Sequence, residues 1–256
     1  MKKILKFTIG LFLFSSLTFG QVIKIHTQNG TDSHNLADID SITFDVSGSN
    51  SSSLKDIDGN VYQTVQIGDQ VWMAENLKVT HYRNGDPIPY DNYPTTTGAY
   101  CNYKNDTTYV PTYGRLYNWY AVNDSRNIAP EGWHVATDDD WKQLEMYLGM
   151  SQEDADSTGW RESNEVGGKL KEAGTEHWAD PNTAATNESG FTALPGGWRT
   201  DFNSDFATMG QYCFFWMPDE IDDGSAWTRR VAWVNPGVYR FHEDKMSAFS
   251  IRCIKD

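Results

Sequence analysis

Four acids within five residues, Asp219, Glu220, Asp222 and Asp223, followed by Gly224, are the residues of this sequence best suited to holding a cation. Carboxylates crowded into one turn repel each other unless solvent or a metal ion separates their charges. Oxygen ligands at that density suit calcium, the candidate cofactor. Asp138, Asp139 and Asp140 are weaker candidates. They stand where a first helical turn is expected, and the helix dipole accounts for acids there with up to about 1 kcal/mol each. His134 lies between Trp133 and Val135, and an acid–base or metal role would need a carboxylate or second ligand beside it. His81, His177 and His242 show no H-x-x-x-H spacing with it, so a hydrogen-bonded structural histidine is the expectation.

Aromatic side chains are abundant, at 35 of 256 residues. Most must be core, but Trp and Tyr on a surface make platforms for sugar faces or protein contacts. Trp198, Trp227, Trp233 and Tyr239, in the loop-rich C-terminal half, are the candidate ligand-binding residues. The three cysteines, Cys101, Cys213 and Cys253, have no C-x-x-C spacing, so neither a zinc ribbon nor a thioredoxin-like pair is indicated. Three pairings are open. Cys101 with Cys253 is preferred because it would tie the C-terminal strand to the body of the domain. Cys213, inside the apolar run 212–217, reads as a buried free thiol.

Signatures of the common catalytic machineries are missing: no G-x-S-x-G, P-loop, H-E-x-x-H or Rossmann glycine string. A non-catalytic protein is therefore expected. A glycosidase-like carboxylate pair brought together only by folding stays open.

The elements that must position these residues are short. Val22 to Ile25 and Ser41 to Val46 alternate like strands, and Gln28-Asn29-Gly30 is a turn signal, so residues 21–46 read as a small β segment. Residues 47–53, Ser-Gly-Ser-Asn-Ser-Ser-Ser, form a linker without an apolar residue. Residues 54–256 then suit one domain. Val61, Val65 and Ile67, then Gly68-Asp69, then Val71 and Trp72 predict a hairpin. The clearest helix starts at Thr137, with Asp140 completing a capping box, Trp141, Leu144 and Leu148 on one face, and Gly149 as its stop. A second helix is expected through Val166, Leu170 and Ala173 despite Gly167 and Gly168. Short antiparallel strands should fill Phe191 to Ile254. The class is α+β: two short helices, short antiparallel strands and long irregular loops.

At the N-terminus, Lys2, Lys3 and Lys6 precede an apolar run from Phe7 to Phe19, and Thr18 and Gly20 place small residues at −3 and −1 of a cut before Gln21. That layout predicts a signal peptide over residues 1–20. The run is shorter than the roughly 20 residues needed to cross a bilayer core, so no membrane insertion is expected after cleavage. The protein is expected to be secreted, periplasmic or at the cell surface. Formal charge is −14, and cleavage would leave 18 Lys and Arg against 35 Asp and Glu, or −17. Such a chain repels phosphate backbones, which argues against nucleic acid as a partner.

Longer strings carry a resemblance. Asp58-Gly59-Asn60-Val61-Tyr62, Ile67-Gly68 and Gln70-Val71-Trp72-Met73-Ala74-Glu75-Asn76-Leu77 open it. Residues 113–122 (YGRLYNWYAV), 129–137 (APEGWHVAT), 190–197 (GFTALPGG) and 250–256 (SIRCIKD) follow in order. Together they resemble the Fibrobacter succinogenes major paralogous domain over residues 56–256. That resemblance implies export and a fold of C-type lectin-like kind, shared in general outline with formylglycine-generating enzymes. Many members carry a Cys where this chain has Ala129, which leaves Cys253 needing Cys101 as partner. Met217-Pro218-Asp219 stands where members often read otherwise, and the paired sugar-binding triplets of C-type lectins are absent. The reading reached is a non-catalytic binding module for a polysaccharide or another surface protein. An extracellular hydrolase or oxidase and a structural envelope protein are the alternatives.

Overall fold

The computed structural model describes residues 22–27, 30–35 and 54–256. The chain divides into two compact units, Met1–Ser51 and Ser52–Asp256. In the first, β1 (Val22–Thr27) pairs antiparallel with β2 (Gly30–Asn35), Thr27 opposite Gly30, in keeping with the turn signal between them. The predicted signal peptide, the Ser41–Val46 strand and the linker 47–53 lie outside the described residues.

The second unit begins with the β3 (Leu54–Lys55) and β4 (Val61–Tyr62) pair, whose turn is closed by Asp56 accepting from Asn60 N at 2.9 Å and from the Tyr62 hydroxyl at 2.6 Å. Next comes the expected hairpin of β5 (Thr64–Ile67) and β6 (Gln70–Met73). Its two-residue turn puts Gly68 at φ +62°, where a side chain would be strained and would strike the Tyr147 ring. There follow β7 (Tyr100–Cys101), α1 (Val110–Tyr113), β8 (Leu116–Asn118), α2 (Trp119–Val122) and β9 (Trp133–Val135). The helices α3 (Asp138–Tyr147) and α4 (Gln152–Asp156) lead to β10 (Gly159–Arg161) and α5 (Val166–Leu170). The remainder is strand: β11 (Trp198–Arg199), β12 (Phe206–Ala207), β13 (Tyr212–Glu220), β14 (Ser225–Ala232), β15 (Asn235–Asp244), β16 (Ala248–Phe249) and β17 (Cys253–Lys255).

These form three main sheets, in the orders β10-β15-β14-β13, β12-β11-β16-β8-β7 and β5-β6-β17-β9, with antiparallel pairing. The class is α+β, as expected, with more helical segments than the two foreseen. Helix α3 carries the predicted capping box, Asp140 N donating to Thr137 Oγ1 and Thr137 N donating to Asp140 Oδ2. The second predicted helix stops at Leu170 instead of reaching Ala173. Its glycines serve close approach: a Cβ on Gly167 would lie 1.9 Å from Gly237 O, and one on Gly168 2.2 Å from Ala184 O. Helix α5 therefore packs backbone to backbone on β15, and the chain then turns extended at Lys171.

Strand β13 lies between two apolar clusters, since alternate side chains leave opposite faces. Phe214 and Trp216 enter one cluster with Tyr117, Trp133 and Phe249. Cys213, Phe215 and Met217 enter the other with Trp72, Trp141, Leu144 and Phe191. Beneath α3 the second face also holds a buried ion network. Glu145 accepts from Arg161 (2.7 and 2.8 Å) and Arg229 (2.7 Å), and Asp138 accepts from Arg229 and Arg240 (2.7–2.9 Å). Burial opposes ionisation of Asp138, but Arg240 and Arg229 outweigh it and hold its carboxyl well below the ordinary range. A depressed carboxyl stabilises the fold above its unfolded value and loses that contribution as pH falls through the folded one. Thermal stability should therefore drop steeply below about pH 4, and less steeply in Asp138→Asn, as a Tm series against pH will read.

Candidate functional site

The four-stranded sheet presents one face whose β13 side is covered by core and whose β10 side is open. In antiparallel pairing, residues directly opposite share a face, and here Trp160, Tyr239, Arg230 and Phe214 form one row across all four strands. Trp160 (36% exposed) and Phe241 (37%) are the open aromatics, while Tyr239, Arg230 and Tyr212 are half-buried. The Trp160 and Tyr239 rings are 5.1 Å apart, and Tyr239 and Phe241 5.5 Å. The Arg230 guanidinium lies 4.2 Å from the Tyr239 ring centre and 5.3–5.4 Å from those of Phe214, Trp160 and Tyr212. Cation–π attraction thus holds its plane. Its Nε is a buried donor with no acceptor among the described residues. Glu243 continues the Tyr239-x-Phe241-x-Glu243 alternation. Its carboxyl is pushed up by burial first, against the nearby Arg230, with smaller upward pushes from Asp201 and Asp244.

The structure splits the four predicted aromatic residues. Tyr239 stands in the row, and Trp198 adjoins its inner end, 5.6 Å from Phe214 and 5.7 Å from Phe249. Trp227 and Trp233 pack instead against the second cluster, and Trp227 lies under Arg240 at 3.8 Å. Trp160, Arg230, Phe241 and Glu243 were missed. The period-2 pattern on β15 is legible in the sequence, whereas Trp160 and Arg230, seventy positions apart, meet only through strand pairing.

The acidic stretch does not converge. Asp219 accepts from Asp138 N at the start of α3 (2.9 Å), and Glu220 from Lys245 Nζ (2.9 Å). Asp222 accepts from Gly224 N, Ser225 N and the Ser225 hydroxyl, closing its own turn, and Asp223 is exposed. Separate protein donors meet Asp219, Glu220 and Asp222, and Asp223 faces solvent. His134 does have carboxylates beside it: Nδ1 is 2.7 Å from Asp256 Oδ1 and Nε2 3.1 Å from Asp140 Oδ2. Partial burial opposes protonation, but the two acids outweigh it and raise its pKa.

The expected Cys101–Cys253 disulfide is corrected. All three thiols are free and buried. Strand β7 puts Cys101 with Tyr103 and Leu116, β13 puts Cys213 with Phe215, and β17 puts Cys253 with Val135, each in a different apolar cluster. Burial raises the pKa of all three, Cys101 and Cys213 to about 12, so none is poised as a thiolate nucleophile. Clefts of about 240 Å³ beside Arg83 and 350 Å³ beside Lys169 are lined by other residues than the aromatic row. Carboxylates and a histidine that could jointly hold a metal are Glu172, Glu176 and His177. No helix among the described residues is long and apolar enough to cross a membrane.

A family model described as Fibrobacter succinogenes major domain matches residues 65–255. Comparisons with curated proteins and with solved structures gave no match.

Proposed function

We propose, from the premise that this chain belongs to the Fibrobacter succinogenes major domain family, that it is an exported, non-catalytic module that binds a neutral polysaccharide. The aromatic row on the four-stranded sheet would be its platform. The observation that carries the reading is Trp160, Tyr239 and Phe241 set side by side, with the first two beside a guanidinium whose Nε has no acceptor among the described residues. Aromatic rings in a row suit the apolar faces of successive sugars, and hydroxyls are acceptors for Arg230 and partners for Glu243. A row of rings along one sheet face favours a chain ligand over a small molecule, which needs concavity. The net charge of −14 weighs against a polyanionic chain. Export rests on the signal-peptide pattern of residues 1–20. The non-catalytic reading is supported by the state of the reactive groups: the buried acids Asp138 and Glu145 are bound to arginines, and the thiols are held protonated.

The test is affinity electrophoresis and calorimetry of the chain against xylan, mannan, soluble cellulose derivatives and pectate. Retention is expected on a neutral polymer. Trp160→Ala and Tyr239→Ala should each weaken it about tenfold, equivalent to about 1.4 kcal/mol. Circular dichroism should be unchanged for Trp160→Ala, whose ring is largely outside the core. No retention on any neutral polymer, or retention indifferent to the double variant, sinks the reading. Capture of a protein through this same face would redirect it to a protein partner.

A further inference from the structure

We infer that Glu172, Glu176 and His177 form a binding site for a divalent transition-metal ion, zinc by the chemistry of the ligands. One ligand atom from each, two carboxylate oxygens and an imidazole nitrogen, lie within 4.8 Å of one another. His177 Nδ1 is 2.9 Å from both oxygens of Glu172. The three residues occupy the loop after α5, and that loop is held from several sides. Glu172 N donates to Ala193 O at 3.2 Å. The buried Asn182 amide donates to Glu172 O (2.9 Å) and Gly174 O (2.6 Å), and its own Oδ1 is a buried acceptor without a partner among the described residues. The Tyr113 ring meets the His177 ring edge-on at 5.7 Å.

Charge completes the case. Lys171 adjoins Glu172 in sequence but does not neutralise it, because its ammonium turns inward to the carbonyls of Thr183 and Ala232 (both 2.8 Å) and Asn235 (3.1 Å). Two carboxylates and an imidazole therefore converge on a half-buried spot, with the adjacent cation committed elsewhere. One nitrogen and two oxygens, with solvent completing a four-coordinate shell, suit zinc; calcium takes six to eight oxygens and has little use for imidazole. At His134 the geometry differs, since its carboxylates flank opposite ring nitrogens and an ion on either nitrogen would meet only one of them.

Calorimetric titration of the full chain with zinc chloride at neutral pH is the test. One zinc per chain is expected, weakened about tenfold or more by His177→Ala, by Glu172→Gln and by Glu176→Gln, and unaffected by His134→Ala. Glu176 is exposed, so its variant keeps the fold and remains informative should the others unfold. Absence of zinc binding, or zinc binding that survives all three variants, overturns the site. The outcome is read apart from polysaccharide retention, which is tested through Trp160 and Tyr239.

Discussion

Replacing Arg252 with leucine is expected to cost at least about 4 kcal/mol and to leave the domain largely unfolded at growth temperature, against a typical total stability of about 5–15 kcal/mol. Arg252 is fully buried, and its hydrogen bonds go to carbonyls and an amide, with Glu75 favouring its charge only from a distance. Four of its five donors are spent on the chain: Nε on Asn76 Oδ1 (2.7 Å), Nη1 on Met73 O and Phe191 O (both 2.8 Å), and Nη2 on Thr192 O (2.9 Å). One side chain from the C-terminal segment thus fastens the end of β6 and the 190–197 segment. The Phe191 ring packs under its guanidinium at 4.4 Å. Burial lowers the guanidinium to about 9, yet the four acceptors keep it in place. Leucine would restore apolar volume but orphan four acceptors, each costing about 1–3 kcal/mol. Arg252→Lys should recover only part, about half, because an ammonium is a point donor and cannot span four acceptors in a plane. Urea unfolding of the three proteins checks the order. A leucine variant within 1 kcal/mol (roughly the net value of one ordinary hydrogen bond) of the parent would show that the bonds are not what holds these segments.

The second large effect is expected at Glu145. Removing one member of a buried ion pair strands the other charge, at about 3–5 kcal/mol. Glu145→Leu would leave Arg161 with the carbonyls of Ala155 (3.1 Å) and Val238 (3.3 Å), and Arg229 with Asp138 and the weakly accepting Met217 sulfur (3.5 Å). The double variant Glu145→Leu with Arg161→Met should be less destabilised than the two single effects combined, since the stranded guanidinium goes with its partner. Strict additivity in the four-membered cycle, read by chemical denaturation, would mean the two side chains do not interact. The same network explains why α3 sits where it does. The apolar stripe of Trp141, Leu144 and Leu148 faces the cluster, while Asp138 and Glu145 reach the arginines of β10, β14 and β15.

Local rules settled much from the residues alone. The β5–β6 turn, the capping box of α3, its stop at Gly149 and the run of C-terminal strands all depend on neighbours within a few positions, where backbone sterics and caps decide. The family resemblance was legible for the same reason, in contiguous strings. The charges were not. Asp138 looked like a dipole acid and is a partner of Arg229 and Arg240; Asp219, Glu220 and Asp222 looked like parts of one cation cage and accept from three separate sets of donors, with Asp223 exposed. Cys101 and Cys253 looked like a pair and lie in different clusters. Trp160, Arg230 and Tyr239 meet because three strands register, and Glu172 with His177 because a loop is clamped by Asn182. Which side chain meets which across strands is fixed by register and by long-range packing, and spacing along one chain carries no measure of either.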